Sequence, residues 1–198
     1  MDDFATFFLI LISITIFYVY LENKATDVTY INKGGIEFLV RNLNDKEQAA
    51  KLLSDICTRL TKLVKHLDND KDNKEYHTET KSGIKRLKKN YNPNAVVESS
   101  PGNKYTSYSI NKGEKIVFCL RSKDESQKLV DLNTMMFVAI HEMAHLMTKE
   151  VGHTKQFWDN MKFLLIKAIE LDIYKKQDFN SSPKEYCGTT ITDTPLNS

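Results

Sequence analysis

The sequence predicts an α+β fold: a histidine-bearing apolar helix packed on a small, mostly antiparallel sheet, preceded by an amino-terminal transmembrane helix. Three observations predict it. Residues 4–21 carry no charge and consist largely of Phe, Leu, Ile, Val and Tyr. Three short β-type runs, at 95–99, 105–110 and 115–120, are separated by Gly102-Asn103 and Asn111-Lys112-Gly113, residue types that turn hairpins. Met135 to Ile140 lead apolar into His141-Glu142-Met143-Ala144-His145, with no Gly or Pro until Gly152.

The 198 residues suit one domain with an appendage. Charged residues make up 27% and hydrophobic ones 41%, as in ordinary globular proteins. A net charge of +2 gives no reason to expect a nucleic-acid partner. Cys57, Cys119 and Cys187 are odd in number and far apart. That is neither a disulfide framework nor a cysteine metal site, and a reducing compartment is the simpler assumption.

Residues 1–22 read as an uncleaved membrane anchor. The uncharged run is long enough to cross a bilayer, and Tyr18 and Tyr20 suit its interface. A signal peptide would want a basic start and a small-residue cleavage site, whereas the chain opens Met1-Asp2-Asp3. Lys24, Lys33 and Arg41 follow the run and none precedes it, so the remainder is expected on the cytosolic side. Asn180-Ser181-Ser182 is a glycosylation sequon that matters only for a lumenal domain.

Residues 23–44 read as a linker with short strands at 28–31 and 36–40. Asn44 or Asp45 caps a helix running to about His66, with Ala49, Leu52, Leu53, Ile56, Leu60, Leu63, Val64 and Leu67 at helical spacing. Cys57 beside that stripe is a small buried hydrophobe. Residues 68–79 form a polar loop flanked by the surface histidines His66 and His77. Residues 81–89 form a short basic helix, normally a solvated face but able to touch phosphate groups. The strand region leads through a polar loop at 121–127 into the histidine helix. A further helix starts near Thr154, with Phe157, Trp158, Met161, Leu164, Leu165, Ala168, Ile169 and Leu171 on its apolar side. The main domain thus spans 45–176, and 177–198 is an irregular tail.

The chemistry is concentrated in His141-Glu142-x-x-His145. Helical positions i and i+4 share a face, so two imidazoles point at one ion, and Glu142 can act as general base towards a water. The alternative is a buried histidine pair bonded within the core without metal. Gly152-His153 adds a third histidine, because a glycine past a helix can turn the chain back. Asp159 and Glu170 compete for that third position. Cys187 offers a thiolate able to silence such a site, against the plainer reading of an unpaired surface cysteine.

His141-Glu142-Met143-Ala144-His145, then Gly152-His153, then Phe157-Trp158, resembles the WLM and SprT-like zinc metallopeptidases over roughly 45–171. The whole chain looks like membrane-anchored members found in large DNA viruses and algae. The resemblance implies a zincin-like fold, Zn2+ and peptide hydrolysis, with His141, His145 and His153 as metal ligands. The gap from His145 to His153 is longer than the family's usual loop. The anchor is also foreign to the soluble members, which cleave proteins crosslinked to DNA, so that substrate is not carried over.

Two functions are therefore expected. One is a membrane-anchored zinc peptidase with Glu142 as general base, acting on a protein or peptide strand laid along the sheet edge. Tyr108, Tyr174 and Tyr186 are the tyrosines available as oxyanion partner. The other is a non-catalytic, membrane-anchored zinc-binding adaptor that uses the basic helix 81–89 for phosphate or partner binding.

Overall fold

Apolar periodicity decides which face of each helix turns inward. Ala49, Ala50, Leu53, Ile56, Cys57, Leu60, Leu63 and Leu67 recur every third or fourth residue and are the buried face of one long helix. The computed structural model describes residues 3–24, 28–69 and 76–197, with the side chains of 3 and 21–24 excepted. The polar loop expected at 68–79 lies largely outside the described residues. In chain order the elements are α1 (Asp3–Lys24), β1 (Val28–Lys33), β2 (Ile36–Arg41), α2 (Lys46–Asn69), α3 (Thr78–Asn90), β3 (Val96–Glu98), β4 (Tyr108–Ile110), β5 (Lys115–Phe118), α4 (Leu132–Met147), α5 (Lys155–Glu170), β6 (Lys184–Tyr186) and β7 (Thr189–Ile191).

The transmembrane expectation is corrected. Among the described residues, no helix is long and apolar enough to cross a membrane. A span needs about 20 apolar residues to cover ~30 Å. The uncharged run, 4–21, falls short of that length at about 1.5 Å per residue. Single-pass anchoring, and the cytosolic orientation argued from it, fall with that finding.

The sheet departs from the expected pair of hairpins. β4 and β5 form one, but β3 runs parallel to β5, and the order is β3-β5-β4. β5 takes the centre because Ile116, Val117 and Phe118 are all buried, as a strand flanked on both sides requires. The stretch read as linker contributes the β1–β2 hairpin, whose Phe38 and Val40 lie in the core. The tail read as irregular carries a further hairpin, β6–β7.

Two covalent and ionic ties hold these pieces. Cys119, just past β5, and Cys187, just past β6, form a disulfide across a sequence separation of 68. This overturns the reading of the cysteines as unpaired and removes the argument for a reducing compartment. Arg121 is buried, with Nε donating to Glu98 at 2.7 Å and Nη1 to Asp45 at 2.6 Å. Glu98 also accepts the backbone N–H of Arg41 at 2.7 Å. That network joins β2, β3 and the start of α2 to the segment between β5 and α4.

Candidate metal centre

α4 begins where Asp131 accepts the backbone N–H of Thr134 at 2.9 Å, an N-cap. It ends at Met147, five residues before Gly152, with Thr148 as its C-cap. His141 and His145 lie one turn apart with ring centroids 4.9 Å from each other. The connecting loop turns at Gly152, whose φ of +89° is open to glycine and strained for other residues. Thr154 then caps α5 by accepting the Phe157 N–H at 3.3 Å. The turn carries His153 back, so that its Nε2 lies 3.1 Å from Nε2 of His141. One ring nitrogen from each of His141, His145 and His153 lies within 4.8 Å of the others, a group of donors that can hold a metal ion. Asp159 and Glu170 stay outside it, paired with Lys155 at 2.7 Å and Lys167 at 2.9 Å.

The electrostatics fit such an ion. Burial, then the neighbouring His145 and His153, bring the His141 imidazole down to about 3. Burial, then His153 and Lys112, bring His145 down to about 4. Both rings are therefore neutral at pH 7, with lone pairs free to donate. Two imidazole nitrogens sharing one tetrahedral zinc at about 2.05 Å would sit roughly 3.3 Å apart, close to the 3.1 Å found between His141 and His153. Glu142 points inward, 3% exposed, and its Oε2 has no hydrogen-bond partner. Burial pushes its carboxyl up to about 7. Phe157 packs under all three histidines, with ring centroids 4.8, 4.4 and 4.7 Å from His141, His145 and His153. Trp158 stacks on His153 at 5.5 Å and 30°.

A profile of the WLM domain matches residues 58–197 of the chain. The chain belongs to the WLM domain family. WLM domains are zinc metallopeptidase-like. An uncharacterized protein of Acanthamoeba polyphaga mimivirus is 35% identical over 190 residues, covering 94% of each chain. An uncharacterized protein of Invertebrate iridescent virus 6 is 34% identical over 107 residues, covering 54% of this chain and 57% of its own. One from Invertebrate iridescent virus 3 is 36% identical over 81 residues, covering 41% and 48%. No solved structure matches.

Other candidate residues of this WLM protein are distributed as follows. Tyr186 is buried, hydrogen-bonded to the Ser107 hydroxyl, and within electrostatic reach of Glu142, whose charge adds to burial in raising its phenol. Tyr108 accepts from Asn103 at 3.1 Å, and Tyr174 is packed against Phe137 in the core. Cys187 is buried in its disulfide and absent from the metal-capable group, so the thiolate-switch reading is corrected. The basic helix is α3, and part of its charge is engaged internally. Arg86 donates to Met147 O at 2.9 Å and pairs with Glu79, and Lys88 pairs with Asp68 at 2.7 Å. Lys112, read only as a turn residue, meets the end of α4 directly. Its signal in the sequence was a long cation in a turn where Asn or Gly would suffice.

Proposed function

We propose that this WLM-domain protein is a zinc-dependent peptidase that hydrolyses peptide bonds with Glu142 as general base. The convergence of His141, His145 and His153 beside the buried Glu142, whose Oε2 has no hydrogen-bond partner, carries this reading. His141, His145 and His153 would hold the ion, and three protein ligands leave the open position of catalytic zinc sites. Zinc, when bound, supplies Lewis acidity that polarises the scissile carbonyl and acidifies a water. Glu142 takes the proton from the attacking water and hands it to the leaving amine. The buried apolar body of α4 limits water around the carboxylate, keeping its proton exchange directed at the reacting atoms. β4 is the terminal strand of its sheet, and a substrate strand added there would run beside α4.

The test is cleavage of casein or a quenched peptide by the purified chain, with metal content measured alongside. Cleavage that chelation removes and zinc restores supports the reading. A chain that binds zinc and cleaves no peptide contradicts it.

A further inference from the structure

We propose that Lys112 is a positioning residue for this centre: its ammonium ties the end of α4 and the loop returning His153 into one fixed arrangement. The inference rests on the proposed metal centre. Lys112 Nζ donates to His145 O at 3.1 Å, to Thr148 O at 2.9 Å and to Glu150 O at 2.7 Å. An ammonium has three N–H donors and no acceptor, so these three carbonyls use it fully. A helix end leaves its last carbonyls without intrahelical partners, and a cation there is doubly favoured by the helix dipole. The three acceptors belong to different parts of the site. His145 is itself a metal-capable residue, Thr148 is the C-cap of α4, and Glu150 lies three residues before His153.

The turn that delivers Lys112 is built for that reach. Asn111 and Lys112 take φ of +47° and +58°, a left-handed region that a lysine occupies only at a cost. Gly113 follows at φ +112°, where an added Cβ would come within 2.3 Å of Asn90 O. The turn is thus pressed against the end of α3 and against α4. Glycine or asparagine would suit position 112 better on backbone grounds alone. The tripod of carbonyls gives a reason for lysine there.

Arg86 supplies the control. Its Nε donates to Met147 O at 2.9 Å, capping the same helix end without touching the loop to His153. Trp158, the single tryptophan, stacks on His153 and reports that loop without any metal. The experiment uses the full chain as parent, Lys112→Met, Lys112→Arg and Arg86→Met. Zinc affinity is read by competition with a chromophoric chelator, and Trp158 exposure in the metal-free chain by acrylamide quenching. Both Lys112 variants should weaken zinc about 10–100-fold, the usual effect of losing a partner that orients a ligand. Lys112→Arg should not rescue, because a planar guanidinium keeps the charge but cannot serve three carbonyls on a tripod. Both should raise acrylamide quenching, while Arg86→Met stays within about twofold of the parent on both readouts. If Lys112→Met does not fold, Lys112→Arg decides by the same two measurements. Zinc affinity and quenching unchanged in the Lys112 variants, or altered equally by Arg86→Met, overturns the proposal. If the parent binds no zinc, the peptidase reading fails, and the quenching comparison still decides whether Lys112 holds the loop.

Discussion

Nε2 of His153 lies 3.1 Å from Nε2 of His141, although twelve residues and the end of a helix separate them. Two imidazole nitrogens at that distance must share one proton or one ion. The ion reading predicts that His153→Ala weakens zinc at least 100-fold, measured by competition with a chelator. Glu170→Ala and Asp159→Ala should leave affinity unchanged, since both carboxylates are paired with lysines elsewhere. Loss of zinc in Glu170→Ala with retention in His153→Ala would reverse the assignment.

The disulfide gives the second prediction. A cross-link closing a loop of 68 residues removes unfolded-state entropy corresponding to about 4 kcal/mol in the loop-closure account, with about 2–4 typically measured. Cys119→Ser/Cys187→Ser should therefore lower urea stability by a few kcal/mol. Thiol titration of the denatured, unreduced chain should find only Cys57. Three reactive thiols would contradict the pairing.

Arg121 is the third. Its removal leaves the buried Glu98 without its cation. Breaking one side of such a pair costs about 3–5 kcal/mol. Arg121→Met should show that loss in chemical denaturation, whereas Lys155→Ala, in an exposed pair with Asp159, should shift stability by less than about 0.5 kcal/mol. Similar effects from both would sink the claim.

Asp45 adds a pH dependence. The hydrogen bond from Arg121 comes first among the causes holding its carboxyl below the ordinary 3.8. The unfolded chain therefore binds its proton more readily, so the stabilisation is complete above about pH 4 and lost as pH falls through the lower, folded value. The urea midpoint of the parent should fall more between pH 5 and pH 3 than that of Asp45→Asn. Equal falls would mean that Asp45 contributes nothing to the acid limb.

The helices were legible because their signals are local. The apolar spacing of α2, the uninterrupted approach to His141, and Thr154 before Phe157 each depend on a few neighbours. His153 was legible because Gly152 must turn the chain close by. Long-range pairings were not. Nothing within 96–118 says that β5 inserts between β3 and β4, a choice made by burial of Ile116, Val117 and Phe118. Cys119 meets Cys187 only because the tail folds back as β6–β7, and that hairpin has too few residues to announce itself. Lys112 was hidden because its partners are backbone carbonyls, which leave no pattern in the sequence. At the amino terminus an uncharged run suggested a span, yet among the described residues no helix is long and apolar enough to make one.

Glu142→Gln tests the central claim most directly, because the amide keeps the shape of the side chain and removes its capacity as a base. Zinc content and peptide cleavage are measured on the same preparation. The account predicts zinc bound as in the parent and hydrolysis down by about 100-fold or more, within the range that general base catalysis supplies. Hydrolysis at the parental rate with zinc retained would contradict it.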